Sequence, residues 1–190
     1  MFIAVLVTCV VSATALTFAY GATRDRIAEQ ERIARETALL EVLPDATVFE
    51  DMDEETRACL DEADGETPID GVFLAEDDSG AIVGVGVLVA PRGYGGPVNM
   101  AVGVDRDGIV TGVSIVSHKE TPGLGSKIVT EESFLAQFEG WDSGDVDSSD
   151  QGFDAISGAT KSSNGARSGV QAAERVYLAW PECVGGGLGE

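Results

Sequence analysis

The sequence predicts an α+β chain, with helices packed on an antiparallel, twisted sheet and a single transmembrane helix at the N-terminus. Three observations carry that reading. Residues 2–22, FIAVLVTCVVSATALTFAYGA, contain no charged side chain. Two stretches, DDSGAIVGVGVLV (77–89) and DRDGIVTGVSIV (105–116), share a Gly turn followed four residues later by Gly-Val-x-Val or Gly-Val-x-Ile. The third is an apolar face at helical spacing near the C-terminus, formed by Ala166, Val170, Ala173, Tyr177 and Trp180 ahead of Pro181.

At ~1.5 Å rise per residue the uncharged run is long enough to span the ~30 Å hydrocarbon core, so 1–22 is read as a membrane anchor. A cleaved signal peptide is the alternative, because Ala13-Thr14-Ala15 resembles a small-residue cleavage site, but the apolar region before it is short and has no basic leader. Arg24, Arg26, Arg32 and Arg35 follow the run, which by charge bias alone would place the remainder in the cytoplasm. Residues 23–44 are rich in Ala, Glu, Arg and Leu and lack an interior Gly or Pro, so a polar helical stalk is expected, closed by Pro44. One folded domain is expected over 45–183, with 50–68 as an acidic connector without assigned structure and 184–190 as a flexible tail. Apolar runs GVFLA (71–75) and VNMAVGV (98–104) precede the two Gly turns, giving two β-hairpins joined by APRGYGGP (90–97). Glycines 84, 86, 103 and 112 inside these strands point to close approach or bulges. The last helix is expected to end at Pro181.

Composition removes several function classes. Twelve Lys and Arg against 33 Asp and Glu give a formal charge of −21, a field that repels nucleic-acid backbones, so no nucleic-acid partner is expected. His118 is the only histidine and no Cys-x-x-Cys spacing exists, which argues against a metal centre. The run DVDSSDQG (145–152) fails as a calcium loop, since Ile156 stands where the twelfth-position Glu belongs. Cys9 lies in the apolar run; Cys59 and Cys183 are able to pair outside the cytoplasm, although nothing in the sequence brings them together.

Two segments hold more special residues than a fold needs. In DAISGATKSSNGA (154–166) the hydroxyls of Ser157, Thr160, Ser162 and Ser163 gather where the last helix begins, with Gly158 and Ala159 removing bulk and Lys161 adding a positive charge. A helix N-terminus presents unpaired N–H groups, so this is either an anion site or an ordinary Ser/Thr-capped helix. In SHKETPGLGSK (117–127), Thr121-Pro122-Gly123 specifies a tight turn with positive φ at Gly123, and Gly125 lets the main chain lie against something bulky.

Together the Glu120-Thr-Pro-Gly-Leu-Gly125 turn and the Asp154-Ala-Ile-Ser-Gly-Ala-Thr160 run resemble the paired signatures of the FMN-binding domain found in the G subunit of Rnf-type electron transport complexes and the C subunit of sodium-translocating NADH:quinone oxidoreductases. The resemblance implies FMN joined through its phosphate to Thr160 by a separate flavin transferase, which reads Asp154. It further implies that Ser157, Gly158, Ala159, Lys161 and Ser162 contact the cofactor's phosphate end. Thr121, Pro122, Gly123, Leu124 and Gly125 would pack against the ring, with Glu120 and His118 as polar neighbours. The implied role is electron relay rather than independent catalysis, inside a complex of membrane subunits that couples a ferredoxin and NAD couple to ion transport. It also implies a domain on the outer side of the cell's inner membrane, against the charge bias; Met1 abutting the apolar run hints at a missing basic leader. A stand-alone tethered flavoprotein and a non-redox anchored interaction module are the competing readings.

Overall fold

The computed structural model describes residues 2–146, 152–186 and 188. Residues 147–151 of the run weighed as a calcium loop, and 187, 189 and 190 of the expected tail, lie outside the described residues. The chain divides after Glu36 into two compact units. Helix α1 (Phe2–Val42) begins in the first, where Phe2, Leu6, Val10, Leu16 and Phe18 are all exposed. Among the described residues no single helix is long and apolar enough to cross a membrane; Val5–Phe18 and Thr23–Val42 pass that test only together, as a bent pair.

The second unit is built on a five-stranded antiparallel sheet in the order β1-β2-β3-β4-β5. Its strands are β1 (Val48–Asp51), β2 (Ile69–Glu76), β3 (Ile82–Val89), β4 (Val98–Asp105) and β5 (Val110–His118). Both expected hairpins form, and their sequence similarity is a repeated turn. Asp77 accepts from the N–H groups of Ser79 and Ala81, and Asp105 accepts from those of Asp107 and Ile109. Each turn then passes through a glycine at positive φ, Gly80 at 77° and Gly108 at 86°.

Strand alternation sends Val85, Val87 and Val89 of β3, with Val98, Met100, Val102 and Val104 of β4, to one face. Helix α5 (Thr160–Val184) covers that face with Ala166, Val170, Ala173, Val176 and Trp180, and helix α2 (Glu54–Asp64) adds Leu60. On the opposite face Leu88 and Ala101 pack beneath Ala38, Leu39, Val42 and Leu43 from the end of α1. The polar composition of 23–44 therefore hides an apolar side in its last turns. The strand glycines make room for it: Gly86 pairs with Gly103, and Gly103 with Gly112, in one row across β3, β4 and β5. Between β5 and α5 run the short helices α3 (Lys127–Thr130) and α4 (Glu132–Ala136), whose following residues Phe138 and Trp141 are buried beneath the sheet's end.

Three expectations are corrected. The acidic stretch 50–68 is not a connector: Asp53 caps α2 by accepting from the Thr56 N–H at 2.9 Å, and Gly65 closes it at φ 65°. Pro181 does not end α5. A proline withholds only its own N–H, and the helix runs on to Val184, where Gly185 at φ 82° terminates it by donating to the Pro181 carbonyl. Leu188, assigned to the tail, is buried. The open question of Cys59 and Cys183 closes as well: they form a disulfide with Cα atoms 5.8 Å apart, tying α2 to the last turn of α5.

Candidate functional site

Three segments meet at one end of the sheet. The β3–β4 connection (90–97) is a Gly-rich loop. The turn after β5 folds as the Thr-Pro-Gly sequence requires, with Gly123 at φ 78° and its N–H donating to Ser126 Oγ at 2.9 Å. The third is the start of α5, reached through Gly158 at φ 81°. One side chain joins all three: the Glu120 carboxylate accepts from the Gly95 N–H at 3.0 Å and from Ser162 Oγ at 2.6 Å.

Between these segments lies a cleft of about 430 Å³. Glu120, Thr121, Leu124 and Gly125 from the turn after β5 line it together with Gly158, Ala159, Lys161 and Ser162 from the start of α5. Eight of the residues singled out in the sequence thus share one cleft. Pro122 and Gly123 shape the turn without lining it, Ser157 is exposed beside Gly158, and His118 accepts from the Glu120 N–H at 3.1 Å. Asp154 sits apart, its N–H held by Gln137 Oε1 at 2.8 Å in a separate groove with Phe134 and Ile156. Tyr94 also lines the cleft and was missed in the sequence, where its signal is an aromatic residue, 71% exposed here, set in the turn Gly93-Tyr-Gly-Gly96.

The opening of α5 is not the Ser/Thr-capped helix that was one of the two expectations. Ala159 occupies the capping position, and no side chain caps the helix. The hydroxyls nearby are engaged elsewhere: Ser162 on Glu120, and Ser163 as acceptor for the Ile156 N–H at 3.1 Å. Thr160 is exposed, and its hydroxyl has no hydrogen-bond partner among the described residues. The first N–H groups of a 25-residue helix, at the positive end of its dipole, are therefore left without a side-chain cap next to Lys161. Lys161 leans over the Tyr94 ring, 6.0 Å from its centroid.

The family model described as the FMN-binding domain matches residues 93–174, a span that contains every residue lining the cleft. This part of the chain is similar to the FMN-binding domain family. Over 133 residues the chain is 41% identical to the G subunit of the ion-translocating oxidoreductase complex of Aliivibrio fischeri strain MJ11, covering 65% of this chain and 60% of that protein. The Stutzerimonas stutzeri protein of the same name is 33% identical over 133 residues, covering 70% and 57%. The chain thus spans about 60% of the length of such relatives. Among solved structures, the C subunit of the Na(+)-translocating NADH-quinone reductase from Parabacteroides distasonis shares the fold at a TM-score of 0.51 and 19% identity, over 80% of this chain and 94% of that one. Shewanella oneidensis NqrC aligns at a TM-score of 0.49 and 25% identity, over 61% of each chain. The matched span holds both the cleft and the uncapped start of α5.

Proposed function

We propose that the chain is a membrane-anchored electron-carrier subunit of an Rnf-type ion-translocating oxidoreductase complex, bearing FMN joined by a phosphoester bond to Thr160. The single observation that carries this reading is the start of α5, where the helix has no side-chain cap and Thr160, between the cleft-lining Ala159 and Lys161 in the chain, presents an exposed hydroxyl with no hydrogen-bond partner among the described residues. A phosphodiester there keeps one negative charge within a chain of formal charge −21; the helix dipole and Lys161 offset it locally. Bound FMN supplies the redox chemistry, and the protein supplies attachment, orientation and field. Tyr94 and Leu124, both exposed and both lining the cleft, suit the faces of a flat ring, and Gly125 lets the turn lie close to it.

Thr160 has no histidine or other base bonded to it, so a separate flavin transferase makes the bond, reading the exposed Asp154. The complex passes electrons between ferredoxin and NAD, and the other membrane subunits are its partners. Residues 1–22 are the anchor, 23–44 carry the chain away from it, and 45–183 are the FMN-binding domain. The exposed apolar residues between Phe2 and Phe18 support an anchor. The Cys59–Cys183 disulfide supports the outer side of the membrane, where thiols oxidise and stay oxidised.

The test is the full chain produced beside a competent transferase. Intact-mass analysis should give the increment of FMN less water, flavin fluorescence should survive denaturing electrophoresis, and Thr160→Ala should lose both. A fluorescent T160A band, or an unmodified parent chain, rejects the attachment. For sidedness, protease added to sealed vesicles of known orientation should cut the domain only from the outer face.

A further inference from the structure

We infer that Glu120 is a fixed negative charge in the cleft wall that lowers the reduction potential of the bound flavin, an inference that rests on the flavin site proposed above. Glu120 is 5% exposed and is among the residues that line the cleft. Both of its oxygens accept hydrogen bonds, one from Gly95 N–H and one from Ser162 Oγ, and a backbone N–H has no other role than donor. No lysine, arginine or histidine forms an ion pair with it among the described residues. Lys161, the nearest cation lining the cleft, turns to the Tyr94 ring instead.

The surroundings hold that charge in place. A Cβ on Gly93 or on Gly125 would run into the carboxylate, and one on Gly95 would run into the Lys119 carbonyl. Gly93 and Gly125 therefore shape a slot around the carboxylate, and Gly95 lets the loop close on the main chain before it. A carboxylate needed only as a bracket between segments is replaceable by a neutral amide of the same shape. What distinguishes Glu120 is its charge, kept unneutralised against a cavity. Uptake of two electrons and one proton leaves a flavin with one additional negative charge, and a nearby fixed anion opposes it. Glu120 is in this sense a positioning and tuning residue, not a catalytic one.

Glu120→Gln removes the charge and keeps an acceptor for Gly95 and a donor for Ser162. In the full chain loaded with covalent FMN, a dithionite titration followed by flavin absorbance should place the E120Q midpoint above the parent's. At the parent's midpoint the reduced-to-oxidised ratio should rise about tenfold or more. Ser162→Ala gives the opposite sign, since it retains the charge but removes the hydroxyl that screens it, so its midpoint should fall. An E120Q midpoint equal to the parent's, at equal flavin content by mass, overturns the inference. If E120Q carries no flavin, S162A decides, and an unchanged or raised midpoint there overturns it. Failure of the flavin site itself is separately visible as a parent chain without flavin.

Discussion

Gly103 and Gly112 face one another across strands β4 and β5, with the end of helix α1 lying directly over them. Their tolerances differ. A Cβ on Gly103 would stand 2.5 Å from the Val42 carbonyl oxygen and 2.5 Å from Thr111 Oγ1, both held by the hydrogen bond between them. On Gly112 the nearest atom is Val42 Cα at 3.4 Å, an ordinary contact. Gly103→Ala is expected to cost about 1–3 kcal/mol by lifting the helix off the sheet, and Gly112→Ala less than about 1 kcal/mol. Denaturant midpoints of the two variants check the contrast; equal losses would mean that α1 does not seat on this row.

The disulfide closes a loop between residues 124 apart, joining α2 to the end of α5. Replacing both cysteines by serine, so that no single thiol remains to mispair, is expected to lower stability by about 2–5 kcal/mol. Thermal melts with and without reductant supply the measurement. The parent should move toward the double variant on reduction, while the double variant stays where it is.

Much of this architecture was readable in the chain because strong local signals agreed with it. Alternating valines, Asp-and-Gly turns and one long apolar helical face specified the two central hairpins and α5. The misses arose where a local signal was weak or was overruled by tertiary contact. Acidic residues masked α2, although Asp53 three residues before Thr56 and Gly65 at the far end mark both its caps. Pro181 looked like a stop, but a proline in the last turn forfeits one bond, and the helix end is fixed instead by Gly185 and the Cys183 linkage. At the cleft, the motif residues were legible as motifs. Glu120's burial and the convergence of Tyr94 were not, because both depend on the 90–97 loop meeting the turn after β5, a juxtaposition set by the sheet rather than by nearby sequence.

Asp53 gives α2 a pH dependence. Its carboxylate accepts from the Thr56 N–H and also from the Thr56 hydroxyl at 3.0 Å, and these bonds hold it below the usual carboxylate range in the folded chain. The folded value lies under the unfolded one, so the cap's contribution is complete above the unfolded value of about 3.9 and is lost as pH falls through the folded value. Asp53→Asn retains an acceptor that does not titrate. The stability difference between parent and D53N should therefore shrink or reverse on acidification from neutral pH to about pH 3. A difference independent of pH would remove Asp53 from the acid response.

Tyr94 tests where the ring lies. Its side chain is 71% exposed and touches little of the core, so Tyr94→Ala should alter folding stability by no more than about 0.5 kcal/mol. With covalent FMN in place, the same change removes an aromatic face from the cleft wall, and emission from the bound flavin should rise because stacked tyrosine quenches it. Lys161→Gln takes away the cation over the ring and leaves the ring itself, so its emission should stay near the parent's. Flavin fluorescence per mole of attached FMN, read beside an unfolding curve for each variant, separates the two. If Y94A matches the parent in emission at equal flavin content, the isoalloxazine does not lie on Tyr94, and its apolar support falls to Leu124 and Ala159.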